Sequence, residues 1–162
     1  RDRLDDVRER GTELGITAPF QFVLIGPSIP FFRKMFGANA EGITTLGYWT
    51  PHQKKWERAA PFYEAYKKRY NDEPDYTITT TVYSSCEIME QAIATAGLDR
   101  EKLRGAIASG KFSTITGDVT FKGKRSSLPS SVSQIQNGEI HIVWPPELAT
   151  STFRPKVAAA KN

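Results

Sequence analysis

The chain has 162 residues, of which 39% are hydrophobic and 25% charged, with a net charge of +4. This composition is that of a folded domain and excludes a disordered chain, and no apolar run is long enough to cross a membrane. The single cysteine, Cys86, excludes an internal disulfide framework, and two histidines 89 positions apart make a metal centre unexpected. The basic residues occur in short runs, which we interpret as solvated surface rather than a nucleic-acid patch.

The first part of the chain predicts alternating helices and strands. A helix that ends at Gly15 precedes an apolar strand over 20–25, which we expect to be buried on both faces as in a parallel sheet. Pro30 suits the first turn of a short helix that ends at Gly37, and the next strand covers 42–47. This alternation is typical of an α/β fold. Because no strand precedes the opening helix, we expect an upstream part of the fold to be missing.

The middle of the chain predicts three helices. Apolar side chains recur every three or four residues over 56–70, and Asp99 is a suitable N-cap for a later helix that ends at Gly110. Between them, 76–96 is rich in β-branched residues, but helical spacing outweighs this because the segment carries a long apolar stripe. The stripe consists of Ile78, Val82, Cys86, Met89 and Ile93. We expect it to be buried, with Cys86 as a structural thiol and with Glu87 and Glu90 on the solvated face.

The last part of the chain predicts strands. Residues 119–121 form a short strand, and Asn137-Gly138 between alternating apolar residues predicts a type I′ hairpin. A two-residue turn places Ile135 opposite Ile140 and Val132 opposite Val143. The chain as a whole therefore predicts an α/β fold with a parallel sheet and a C-terminal antiparallel hairpin.

The sequence contains no recognisable catalytic motif. It has no glycine-rich phosphate loop, no nucleophile elbow and no zinc-protease motif. We interpret His141, which lies beside Gln134 on the hairpin, as structural, and His52 as a surface-loop residue. The sequence thus predicts no catalytic residue, no metal site and no cofactor.

The order of several segments resembles one family over nearly the whole chain. The segments that carry the resemblance are 10–19, the Ala-Glu-Gly run within 37–42, 62–70 with Glu73-Pro74-Asp75-Tyr76, 112–121, 136–139 and 143–150. In this order they are similar to the C-terminal part of the type I periplasmic solute-binding proteins, the branched-chain amino-acid-binding family of ABC importers.

The resemblance implies a particular division of the chain. Residues 1–75 would be the second half of lobe two of a two-lobed fold, and 76–121 a crossover segment that belongs to lobe one. Residues 122–150 would be a hairpin that returns to lobe two, and 151–162 a tail. The missing N-terminal half would then be a second chain or a domain-swapped copy.

The expected ligand-binding residues lie at the carboxyl ends of the strands and on the crossover helix. The resemblance places Ser28 where amino-acid binders carry an acidic residue for the ligand's ammonium group, so a standard α-amino acid is a less suitable ligand. It also implies that Tyr83 faces the cleft. Tyr48, Trp49 and Phe31 are candidate aromatic walls, with core packing as their alternative role. Such a cleft suits an aromatic or apolar carboxylate.

The resemblance implies a periplasmic protein that binds a small amino-acid-like or aromatic carboxylate ligand by hinge closure, without chemistry, and delivers it to an ABC permease in the inner membrane. Two alternatives stay open. One is a ligand-sensing domain of the same fold in a receptor or regulator. The other is an α/β enzyme whose catalytic residues lie in the missing N-terminal half.

Overall fold

The computed structural model describes residues 13–14, 18–128 and 130–155. The predicted opening helix up to Gly15 lies almost wholly outside these residues. The described part contains four α-helices and six strands. The helices are α1 (Pro30–Phe36), α2 (Ala59–Tyr70), α3 (Ile78–Ala96) and α4 (Arg100–Ser109). The strands are β1 (Thr44–Gly47), β2 (Lys111–Thr114), β3 (Gly117–Lys122), β4 (Arg125–Ser126), β5 (Ser131–Gln136) and β6 (Glu139–Trp144).

The larger sheet is mixed, as the sequence predicts. Strands β1, β5 and β6 are adjacent and antiparallel. The segment 21–24 runs parallel to β1, because the Val23 amide donates to the Thr44 carbonyl and the Thr44 amide donates to the Gln21 carbonyl. The carboxyl ends of this segment and of β1 therefore meet at one edge of the sheet.

The smaller sheet consists of β2, β3 and β4 and packs against α3 and α4. Sequence reasoning identified only the middle of β3. Asp99 caps α4 as predicted, since its carboxylate accepts a hydrogen bond from the Lys102 amide at 2.9 Å. The two sheets are formed by different stretches of the chain, since 44–47 and 131–144 form the larger one and 111–126 the smaller one.

The predicted hairpin forms with one correction to its register. Asn137 and Gly138 have φ angles of 55° and 76°, as a type I′ turn requires. The Glu41 carboxylate accepts hydrogen bonds from both turn amides, at 2.5 and 3.1 Å, which gives the Ala-Glu-Gly run a structural role. Ile135 faces Ile140 as predicted, but a bulge next to Val132 places that residue opposite Trp144 rather than Val143.

Helix α3 is present as predicted, but the face that it buries is not the apolar stripe. Ile78, Val82 and Met89 are exposed, and so is Cys86, which corrects the expectation of a buried thiol. The buried face instead carries small and polar side chains: Thr80, Ser84, Glu87 and Ala92. Their size lets the helix lie close to the smaller sheet, and the partners of the Glu87 carboxylate offset its desolvation.

The strand predicted over 20–25 pairs in parallel with β1 but is not buried on both faces. Phe20, Phe22 and Leu24 are exposed by 53%, 42% and 58%. No element in the described ranges covers this side of the segment, so its apolar side chains reach solvent in this structure.

The core lies beneath the larger sheet and is rich in aromatic residues. Its larger members are Phe32, Ile43, Trp49, Trp56, Tyr76, Ile135, Ile140 and Ile142. None of the helices in the described part is both long and apolar enough to cross a membrane.

Candidate functional site

The sheet edge where 21–24 and β1 end is the first part of the candidate site. Ser28 lies there, as the last residue of a short 3₁₀ turn (Gly26–Ser28), and is 1% exposed. Its hydroxyl donates to the Ile25 carbonyl at 2.8 Å, and its own carbonyl accepts from the Tyr76 amide at 3.2 Å. Ser28 thus ties the strand end to the start of α3, and its hydroxyl is already engaged.

Trp49 follows β1 and is fully buried, so this structure assigns it the core-packing role. The rings of Phe62, Tyr63 and Tyr76 lie 5.5 to 6.5 Å from the Trp49 ring, centroid to centroid. The indole N–H donates to the Ile115 carbonyl at 3.1 Å. Trp49 therefore joins the larger sheet to the segment between β2 and β3.

Tyr83 extends this aromatic cluster to the surface. It is 43% exposed on α3, and its ring centroid lies 4.6 Å from that of Phe62, which in turn contacts Trp49. Tyr48, beside Trp49 in sequence, is also partly exposed. Phe31 is 66% exposed on α1 and makes no ring contact with this cluster among the described residues. The structure thus connects Tyr83 with Trp49 through Phe62.

A partly buried polar cluster, not identified from the sequence, fixes the start of α3. The Glu73 carboxylate accepts from the Arg33 guanidinium at 2.5 Å and from the Tyr76 hydroxyl at 2.8 Å. Burial, with the charge of Glu73 next in size, raises the pKa of Tyr76 well above its usual range, so this phenol stays neutral. The Asp75 carboxylate accepts from the Thr77 and Ile78 amides. The signal in the sequence was the run Glu73-Pro74-Asp75-Tyr76, which carries both carboxylates.

A groove of about 460 Å³ opens elsewhere, between the loop before α2 and the β2–β3 hairpin. Trp56, Arg58, Thr116 and Asp118 are among its lining residues. None of the five residues predicted to bind ligand lines it. Nearby, Arg58 forms an ion pair with Glu87, which corrects the expectation that Glu87 is solvated.

The two histidines lie together although 89 positions separate them in the chain. The ring centroids of His52 and His141 are 4.6 Å apart, and the planes are 15° from parallel. The Glu139 carboxylate lies 3.4 Å from the Nε2 atom of His52 and 3.7 Å from that of His141. Burial, followed by the neighbouring His52, lowers the pKa of His141. Sequence separation was a poor guide here because the larger sheet brings the loop after β1 next to β6.

Comparison with known proteins places these features in context. A family model described as periplasmic binding protein matches residues 9–138. A leucine-binding protein from Thermotoga maritima is 23% identical with a TM-score of 0.67, and the match covers 82% of this chain and 38% of that one.

Two further solved structures have the same fold. A branched-chain amino acid transporter substrate-binding protein from Streptococcus pneumoniae, in complex with isoleucine, is 20% identical with a TM-score of 0.66, over 84% of this chain and 40% of that one. An ABC transporter solute-binding protein from R. palustris, in complex with benzoate, is 15% identical with a TM-score of 0.60, over 79% and 34%. The chain thus spans 34–40% of the length of these three proteins.

Proposed function

This chain belongs to the periplasmic binding protein family, and from that premise we propose that it is part of the solute-binding component of an ABC importer. It binds a small amino-acid-like or aromatic carboxylate ligand between two lobes and releases it chemically unchanged. The described residues supply parts of both sides of this cleft, the strand ends from lobe two and Tyr83 from lobe one. The observation that carries the proposal is the aromatic cluster that reaches from buried Trp49 through Phe62 to exposed Tyr83.

The cluster supports a ligand with an apolar or aromatic body. Tyr83 presents an aromatic face and a hydroxyl to solvent while its ring is held against Phe62, so little side-chain freedom is lost when a ligand contacts it. Tyr48, directly after β1, is a second partly exposed ring. Phe31 is exposed on the neighbouring helix α1 and stays a proposed wall residue.

Ser28 favours a carboxylate without an α-ammonium group. A serine hydroxyl carries no charge, and this one already donates to the Ile25 carbonyl. It therefore supplies no ion pair for an ammonium group. The benzoate-bound relative shows that the fold holds an aromatic carboxylate, and we place this chain's ligand in that chemical class before leucine or isoleucine.

Hinge closure requires two bodies and a joint. We propose that 76–121 belongs to lobe one and that 1–75 and 122–150 belong to lobe two. Trp49 with Ile115 and Arg58 with Glu87 lie across this boundary. Ligand would shift the population toward the closed form through the contacts that it makes only there.

The proposed partners follow from the transport role. They are the small-molecule ligand, an ABC permease in the inner membrane and the N-terminal half of the fold, present as a second chain or a swapped copy. The proposed location is the periplasm.

The test is a calorimetric titration of the whole protein with benzoate, leucine and isoleucine. We expect benzoate to bind most tightly, and Tyr83→Ala to weaken its affinity at least tenfold through loss of a desolvated aromatic contact. Tyr70→Ala, which removes an exposed tyrosine of α2 outside the site, is the matched control. Unchanged affinity in Tyr83→Ala would show that this assignment of the site is wrong.

A further inference from the structure

Three side chains suited to metal binding converge on the outer face of β6. Glu139 and His141 alternate with the buried Ile140 and Ile142, so both point away from the core. The loop after β1 brings His52 above them. Its position is fixed by Thr50, whose hydroxyl donates to the Ile140 carbonyl at 2.9 Å and accepts from the His52 amide at 3.3 Å.

The separations match those of ligands around one small cation. The Glu139 carboxylate oxygen lies 3.4 Å from the Nε2 atom of His52 and 3.7 Å from that of His141, and one ligand atom from each residue lies within 4.8 Å of the others. Bonds of about 2.0–2.2 Å in a tetrahedral zinc site separate neighbouring ligand atoms by roughly 3.3–3.6 Å. We propose that His52, Glu139 and His141 form a binding site for a divalent transition-metal ion of the Zn²⁺ class.

The donor set selects the class of metal. Two imidazole nitrogens and one carboxylate oxygen suit Zn²⁺, Cu²⁺ or Ni²⁺, whereas Ca²⁺ and Mg²⁺ prefer oxygen ligands. Three protein ligands leave the fourth tetrahedral position to water or to a further ligand. The side chains of His52 and Glu139 are 36% and 61% exposed, so an ion can reach the site from solvent.

Binding requires a modest rearrangement. A metal lies in the plane of each imidazole that binds it, but the two rings are stacked nearly parallel. The half-exposed His52 ring must therefore turn about its side-chain bonds. The buried Nδ1 atom of His141 has no hydrogen-bond partner among the described residues, so no such bond resists adjustment of that ring. Two further charges affect the pKa of His141: the positive charge of Arg154 lowers it and the negative charge of Glu41 raises it.

The test is a calorimetric titration of the whole protein with ZnCl₂ in a Cys86→Ser background, because the exposed Cys86 thiol would otherwise compete for the metal. We expect one Zn²⁺ per chain. His52→Ala, His141→Ala and Glu139→Gln should each weaken binding at least tenfold, whereas the control Glu57→Gln, an exposed acid of the same loop, should not. Absence of binding at millimolar Zn²⁺, or equal affinity in all variants, would overturn the proposal.

A spectroscopic measurement separates ligation from structural damage. The Cu²⁺-loaded Cys86→Ser protein should show nitrogen coupling from two imidazoles in electron paramagnetic resonance, and the His52→Ala variant from one. His52 is used because it is a histidine whose partly exposed side chain lies in a loop, whereas His141 lies within β6 with its side chain only 19% exposed. Nitrogen coupling that is the same in both proteins would contradict the site.

Discussion

Glu87 is a single buried residue that links helix α3 to two other segments of the chain. Its carboxylate accepts a hydrogen bond from the Ile115 amide at 2.9 Å and pairs with the Arg58 guanidinium. One side chain on α3 thereby holds the turn between β2 and β3 and the segment just before α2. A charge in such a position is stabilising only because both partners are present, since a buried carboxylate without them would be costly.

We predict that Glu87→Gln lowers the free energy of unfolding by about 1–3 kcal/mol, because the neutral amide loses the charge-assisted pairing with Arg58. The measurement is the midpoint of chemical denaturation. Glu90→Gln, an exposed glutamate three residues further along the same helix, is the control and should have little effect. Equal losses in the two variants would mean that the buried pair contributes nothing specific.

At the scale of elements, the turn between β2 and β3 depends on a close approach. Gly117 has a φ of 89°, and a Cβ atom added there would lie 2.8 Å from Cδ1 of Trp56. Only glycine meets both conditions without strain. The turn therefore lets the smaller sheet lie directly against Trp56, a residue of the hydrophobic core.

We predict that Gly117→Ala lowers the melting temperature, at a cost of about 1–3 kcal/mol for the strained backbone and the displaced indole. Gly105→Ala should have the opposite effect and raise the free energy of unfolding by roughly 0.5–1 kcal/mol. Gly105 lies inside α4, and the space that a Cβ atom would occupy there is open. Thermal unfolding of the two variants checks both signs. A stable Gly117→Ala variant would contradict the close approach.

The elements were predictable where the information was local. Asn137-Gly138 specified a turn, Asp99 specified a cap, and the spacing from Ile78 onward specified a helix. What each element faces was not local: α3 buries Glu87 because its partners come from other elements, and no pattern within the helix indicates this. The candidate sites show the same limit. Tyr83 was proposed from the resemblance and stays a proposal, whereas the approach of His52 to His141 depends on the pairing of distant segments and has no local signal.

At the scale of the whole molecule, two stretches of the part that the structure describes carry several exposed apolar side chains. One is the α3 stripe, where Ile78 and Val82 are each 57% exposed, and the other is the segment from Phe20 to Leu24. Contiguous apolar faces of this kind usually mark contact surfaces. This supports the proposal that a further part of the fold covers them, as a second chain or a swapped copy.

We predict that the 162-residue chain by itself self-associates through the α3 stripe. Sedimentation velocity should show species larger than the 18.1 kDa monomer. Replacement of Val82 and Met89 together by lysine should shift the distribution toward monomer, because charge on that face opposes its burial. Ala94→Lys, at an exposed position of α3 outside the stripe, is the control. A wild-type chain that sediments as a monomer would contradict the prediction.

The bond between Trp49 and Ile115 has a consequence for observing the protein at work. The Trp49 indole is fully buried, and its N–H group donates to the Ile115 carbonyl, which lies across the proposed boundary between the two lobes. Rotation of one proposed lobe relative to the other changes the length of the hydrogen bond between Trp49 and Ile115. The fluorescence emission of an indole responds to such a change in its surroundings. Under the proposed hinge closure, the emission of Trp49 is therefore expected to report opening without an attached dye, against the background of Trp56 and Trp144.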